Sequence, residues 1–169
     1  MPNTFRTVIL IRHAKSSWKS QGLADFDRPL NGRGKKAAPL MGQKLRDRGI
    51  VLDQMFASPS ERTTQTAQLI CKEIAFNFAD VEFEKSIYLG GVDDLLDIIQ
   101  GSQEASKTIA IFAHNPGITY LANFLQRDMQ IDNVPTCGIV SITFALDNWL
   151  YVGDGKGSLD FFDYPKKEN

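Results

Sequence analysis

Histidine and cysteine are both scarce in this chain, with two of each among 169 residues. Cys71 and Cys137 lie far apart and form neither a Cys-x-x-Cys pair nor a metal-ligand pattern. That excludes a disulfide scaffold, a zinc ribbon and a dithiol redox centre, and it fits a reducing cytoplasm. No apolar run approaches the length of a membrane span, and Met1 to Arg6 leads into the first apolar segment without the core of a secretory signal, so no membrane partner is expected. An excess of one charge is absent too: 19 basic against 20 acidic residues leave a formal net charge of -1, which gives no global attraction to nucleic acid. Any anion site must therefore be built locally. It is not a P-loop, because no Gly-x-x-x-x-Gly-Lys-Ser/Thr sequence occurs; Gly32-Arg33-Gly34-Lys35 has the wrong spacing and follows no strand.

What is present reads as an ordinary globular chain, 43% hydrophobic and 23% charged, long enough for one core but too short for two domains of usual size. A single domain over residues 1–164 and a tail over 165–169 are expected. Val8-Ile9-Leu10-Ile11 is a short apolar run rich in β-branched residues, the pattern of a strand covered on both faces, and it stops at Arg12-His13. Thr108 to Ala113 repeats the arrangement and ends at His114-Asn115-Pro116-Gly117. Both histidines thus follow buried-looking strands. If the strands are parallel neighbours, both imidazoles meet at the carboxyl edge of the sheet, where open α/β sheets bind ligands.

Between these strands the chain alternates helix and strand signals. Asn31 can cap a helix carrying Ala37, Leu40, Met41 and Leu45, which Gly49 ends and in which Pro39 demands a kink or a late start. Asp53 to Ala57 reads as a strand, and Ser60 as the cap of a helix with Ala67, Ile70, Cys71 and Ile74 on its buried stripe. Arg62 falls in that helix's first turn, where a cation is unfavourable unless an anion binds beside it. Val81 to Lys85 reads as a strand, Val92 to Ile99 as a helix, and Ile118, Leu121, Ala122 and Leu125 as the apolar face of another. Ile139 to Ala145 reads as a further strand, and Trp149 to Val152 with Leu159 to Phe162 as a hairpin around Gly153 to Gly157. Phe161, Phe162 and Tyr164 are assigned to the core. The alternation predicts an α/β fold, a three-layer α/β/α sandwich with a mostly parallel sheet and an edge of other polarity.

That topology brings Arg12, His13, Arg62 and His114 to one edge. Guanidinium forks match phosphate oxygens, and clustered arginines repel a divalent ion, so neither a metal nor a cofactor is expected. A neutral imidazole can attack phosphorus, form a covalent phosphohistidine, and be released by water.

Leu10-Ile11-Arg12-His13-Ala14 resembles the RHG signature of the histidine phosphatase superfamily; Ser58 to Ala67 resembles its second arginine segment, and His114-Asn115-Pro116-Gly117 its second histidine. The likeness runs from about Thr7 to Phe144 and implies a phosphoglycerate mutase-like fold. It makes His13 the nucleophile and Arg12, Arg62 and His114 the phosphate pocket. Asp25 to Leu30 is similar to a segment of the small bacterial phosphohistidine phosphatases whose arginine reaches that pocket, making Arg28 a further ligand; its alternative is a surface ion pair with Asp25 or Asp27. Arg12 to Lys19 resembles the mutase loop RHGESxWN, which makes Ser16 a candidate ligand and leaves Lys19 where mutases carry an asparagine. Ala14 replaces the glycine of the signature.

No proton donor is evident. Asn115 stands where the acid-phosphatase branch has an aspartate, and Tyr88-Leu89-Gly90-Gly91 where mutases have a glutamate. An alkoxide leaving group needs an acid, whereas an imidazole leaving a phosphohistidine needs little help. The resemblance therefore implies a phosphatase acting on phosphohistidine in a protein partner, such as a phosphohistidine-carrying domain. A phosphomonoesterase or mutase acting on a small phosphorylated substrate is the alternative enzyme, and a non-catalytic phosphate-binding module the alternative of another class.

Overall fold

Strand β1 (Arg6–Arg12) lies at the centre of a six-stranded sheet because every residue from Val8 to Ile11 is fully buried, leaving no face for water. The computed structural model describes residues 4–167. In chain order the other elements are α1 (Gly32–Asp47), β2 (Gln54–Ala57), α2 (Glu61–Ile74), β3 (Glu82–Phe83), α3 (Val92–Gln100), β4 (Thr108–Ala113), α4 (Gly117–Leu125), β5 (Ile139–Phe144) and β6 (Ser158–Asp163). The sheet order is β3-β2-β4-β1-β5-β6. β3, β2, β4 and β1 run parallel, whereas β5 and β6 are antiparallel to their neighbours.

Side-chain alternation divides the core in two. Val8 and Leu10 of β1 pack with Leu95, Ile99, Leu121 and Leu125 of α3 and α4. Ile9 and Ile11 pack on the other face with Met41, Leu45, Ile70 and Cys71 of α1 and α2. The expected three layers follow.

Local chemistry sets the helix ends. Asn31 Oδ1 accepts from the Gly34 N–H at 2.9 Å, as expected of a cap. At the far end the Gly49 N–H donates to Arg46 O and the Ile50 N–H to Leu45 O, with Gly49 at φ 74°, which closes α1 as a Schellman motif. Helix α1 runs through Pro39, so it has no late start. Ser60 occupies the first cap position of α2, but its hydroxyl pairs with Thr63 Oγ1 at 2.7 Å and bonds no backbone N–H of the helix.

Two further expectations are corrected. Trp149–Tyr151 is a 3₁₀ turn, not a strand, and β6 pairs with β5 instead. Asn148 caps that turn, and the Trp149 indole is buried with its Nε1 donating to Ser106 O at 3.0 Å, which together favour the turn over a strand. The strand expected over Val81 to Lys85 contracts to Glu82–Phe83 between two 3₁₀ turns. Phe161 and Phe162 are half-buried against the two core clusters. Of the expected tail, Lys167 turns back through its N–H to Tyr164 O, and residues 168–169, like residues 1–3, lie outside the described residues.

Candidate active site

Register places the two histidines side by side. β1 and β4 pair in parallel with Arg12 opposite Ala113, so His13 and His114, one residue further along each strand, leave the sheet together. Their ring centroids are 5.2 Å apart. β2 ends at Ala57 opposite Phe112, and the helix that follows carries Arg62 back over the same edge. Arg62 Nη2 lies 3.4 Å from His114 Nδ1.

Each imidazole is fixed by a bond on its far side. His13 Nδ1 lies 2.7 Å from the Ala14 carbonyl, which can only accept, so Nδ1 carries the proton and Nε2 keeps its lone pair. His114 Nε2 is 2.8 Å from Ser58 Oγ and 3.4 Å from Thr63 Oγ1, and the guanidinium facing Nδ1 can only donate. The tautomer with Nε2–H donating to Ser58 follows. Thr66, one turn after Arg62, accepts from the Ala14 N–H at 2.9 Å and pins the backbone behind the first histidine. Gly34 is required here: a Cβ would lie 2.2 Å from the Lys15 carbonyl, so only glycine lets α1 close on this loop.

Asp25 gathers the cations. Arg62 Nη1 donates to its backbone carbonyl at 2.7 Å and Nη2 to its Oδ2 at 3.0 Å. Arg28 holds Oδ1 through Nε at 3.2 Å and Nη2 at 3.1 Å, while Nη1 reaches Ser17 O. Tyr88 OH donates to Oδ2 at 2.7 Å, and its ring stands edge-on to His114. Arg12 is anchored separately, donating to Val134 O at 2.9 Å.

The electrostatics follow from crowding cations into a dry corner. Burial, with Arg62, Arg12 and Arg28 close by, pushes the His13 pKa down to about 4 despite the bond to Ala14. Burial, then His13 and Arg62, push His114 to about 3. Asp25 is held down at about 2, by the Tyr88 hydroxyl first and then by Arg62 and Arg28, and the same bond raises Tyr88. At neutral pH both imidazoles are uncharged and three guanidiniums face one carboxylate, leaving a surplus of two positive charges. That matches a phosphoryl dianion.

A stability consequence arises here. A histidine free in the unfolded chain titrates near 6.5, above its folded value, so between those values the unfolded state holds more protons. Stability is therefore lost as pH falls from about 6.5 toward 4, by roughly 3 kcal/mol through His13 alone. His13→Gln removes that part of the slope; thermal unfolding followed from pH 7 to 4.5 should show the variant losing less stability than the parent.

Five expected site residues, Arg12, His13, Arg28, Arg62 and His114, come together here. Arg28 pairs with Asp25 as its alternative reading has it, but the guanidinium is buried at the pocket and not on the surface. Neither Ser16 nor Lys19 makes a side-chain hydrogen bond to these five residues. Ser16 is half-buried and pairs its backbone with Leu30, and Lys19 is exposed. Sequence reasoning offered Asp25 only as an ion-pair partner of Arg28, not as the acceptor shared with Arg62, and it did not anticipate Tyr88 beside Asp25 or Ser58 behind His114, though all three lie in segments it had singled out.

Residues 8–87 match the model of the histidine phosphatase superfamily (branch 1). That match spans just under half of the chain. An uncharacterized chloroplastic protein of Arabidopsis thaliana is 33% identical over 128 residues, which cover 71% of this chain and 59% of that protein, so the chain spans little more than half of that relative's length. A protein of Agrobacterium tumefaciens assigned as the phosphohistidine phosphatase SixA shares the fold with a TM-score of 0.79 at 25% identity, over 95% of this chain and 98% of that one. Phosphoglycerate mutase from Bacillus anthracis matches with a TM-score of 0.62 at 16% identity, over 89% and 96% of the two chains, which places this chain in the mutase-like fold. Among the described residues no helix is long and apolar enough to cross a membrane.

Proposed function

We propose that this protein removes the phosphoryl group from phosphohistidine in a protein, through a covalent phosphohistidine on His13 Nε2. The observation that carries this reading is the paired state of the site: a neutral His13 with its Nδ1–H spent on Ala14 stands 5.2 Å from His114 among three arginines. His13 Nε2 attacks phosphorus, the new N–P bond forms as the substrate's N–P bond breaks, and the leaving imidazole departs with the proton on its other nitrogen. Water then attacks phosphorus, His13 Nε2 is released, and phosphate leaves. Arg12, Arg28 and Arg62 hold the phosphoryl oxygens as charge spreads over them, and His114 joins them when the bound dianion draws a proton onto its Nδ1. Those fixed charges do the electrostatic work, so the proposed reaction needs no metal.

Carboxylate chemistry supports the choice of leaving group. Asp25, bonded to two arginines and a tyrosine, stays ionised at neutral pH and has no proton to give. Asn115 is spent as a bracket, donating to Asn133 and to the Val134 carbonyl and accepting from Thr119. An ester leaving group would find no carboxylic acid, and a phosphoramidate does not require one. Ser16 is retained as a candidate contact to a bound phosphoryl group. A cytoplasmic setting suits Cys71 and Cys137, both buried free thiols whose pKa burial raises to about 11 and about 12.

The test is a comparison of kcat/KM for a phosphohistidine protein, for phosphoramidate and for 3-phosphoglycerate. Both phosphoramidates should be turned over at least about 100-fold faster than the ester, the scale of a missing general acid. Preference for the ester would overturn the assignment of substrate.

A further inference from the structure

The turn after the 3₁₀ segment Lys85–Ile87 carries a residue that the fold itself does not select. Gly90 N–H donates to Ile87 O at 3.1 Å, Tyr88 is extended at φ -66°, ψ 118°, and Leu89 sits at φ 61°. This is the pattern of a type II turn, whose third position is left-handed and suits glycine or asparagine. A leucine there strains the backbone, and its side chain is 78% exposed. Neither the turn nor the core gains from it.

Its position gives the strain a use. Tyr88, the preceding residue, bonds Asp25 and stands edge-on to His114 with centroids 5.4 Å apart. Gly90, the following residue, is clamped on the start of α4: its carbonyl lies 2.3 Å from where a Cβ on Gly117 would be, so glycine at 117 is what allows the contact. Leu89 is thus held firmly on the rim of the pocket. Phe26 packs edge-on to Tyr88 at 5.0 Å and is itself exposed. Trp18, 78% exposed, covers the Arg28 guanidinium at 3.5 Å. Trp18 and Phe26 on the β1–α1 connection and Leu89 on the turn after β3 therefore each place an apolar side chain in water beside a pocket group.

We infer that Leu89, with Phe26 and Trp18, is a docking surface for the phosphorylated protein, seating an apolar patch around the phosphohistidine while the phosphoryl group enters the pocket. The inference rests on the proposed phosphatase reading and adds the kind of partner surface it requires. Continuity of the rim with the pocket points to the substrate as the occupant, and the three exposed apolar side chains point to an apolar patch on it. Phosphoryl groups on small molecules fill the pocket without covering the rim.

Leu89 lies outside the catalytic machinery, so it is the position to change. Leu89→Gly, Leu89→Asn and Leu89→Met would be compared with the parent on two substrates: an isolated histidine-phosphotransfer domain phosphorylated chemically, and phosphoramidate itself. The Gly and Asn variants should raise KM for the phosphorylated domain about tenfold with kcat unchanged, as expected for loss of one buried apolar contact. Leu89→Met should retain the parental KM. Every variant should handle phosphoramidate as the parent does, and relief of strain should raise Tm of the Gly and Asn variants by about 2–4 °C. Unchanged KM for the domain, equal losses on both substrates, or a parent that hydrolyses phosphoramidate but not the domain would each overturn the inference. So would a change in oligomeric state without a change in KM, which would assign the rim to a second copy of the chain. A parent inactive on both substrates would instead bring down the phosphatase reading itself.

Discussion

His13→Ala is expected to lower kcat by at least about 10⁴-fold, because no other group can form the covalent intermediate. The His114 ring is close, but its Nε2 is committed to Ser58 and its Nδ1 faces a guanidinium, so it cannot take over. The variant should nevertheless fold. His13 lies at the pocket edge, and its ring bonds only the carbonyl of the next residue. Its removal also relieves the acid sensitivity that a buried neutral histidine imposes, so the loss of activity will not track a loss of Tm. Free imidazole should restore part of the turnover by occupying the vacated space. Activity within tenfold of the parent would remove the proposed nucleophile.

Arg62→Lys should cost about 10²- to 10³-fold in kcat, the scale set by losing one positioned donor to a transition-state oxygen. Charge is conserved in this exchange, so the loss measures geometry. The guanidinium spans Asp25 O at 2.7 Å, Asp25 Oδ2 at 3.0 Å and the edge of His114. An ammonium is a single point on a flexible stem and cannot hold these together. Asp25→Asn should act more mildly, since it keeps the backbone acceptor while weakening the grip on Arg62 and Arg28. KM for phosphoramidate and kcat should therefore move together in Asp25→Asn, whereas Arg62→Lys falls chiefly in kcat. Steady-state kinetics of the two variants decides this.

How much of this was readable in advance depends on the range of each contact. Arg12, His13 and His114 were legible because both histidines end continuous apolar runs, and a parallel register does the rest. Asn31 was legible because a cap is local. Arg62 betrayed itself as a cation in the first turn of a helix, where the macrodipole opposes it, and an anion resolves the conflict. Asp25 was not legible as the group that gathers the arginines. Its partners Arg62 and Tyr88 are 37 and 63 positions away, and no periodicity encodes such contacts. Trp149 was misread because an aromatic and β-branched run suits a strand, whereas the Asn148 cap and burial of the indole chose a turn. Ser60 was misread in part because its cap position was correct but its hydroxyl found Thr63 first.

The central claim is a phosphoryl group carried on one nitrogen of one histidine. Rapid acid-free quenching during turnover of phosphoramidate, peptide mapping under alkaline conditions and NMR of the modified residue test it directly. The account requires an acid-labile, alkali-stable label on residue 13 at Nε2, absent from His13→Ala. Turnover with the label on another residue, on Nδ1, or nowhere in the chain would contradict it.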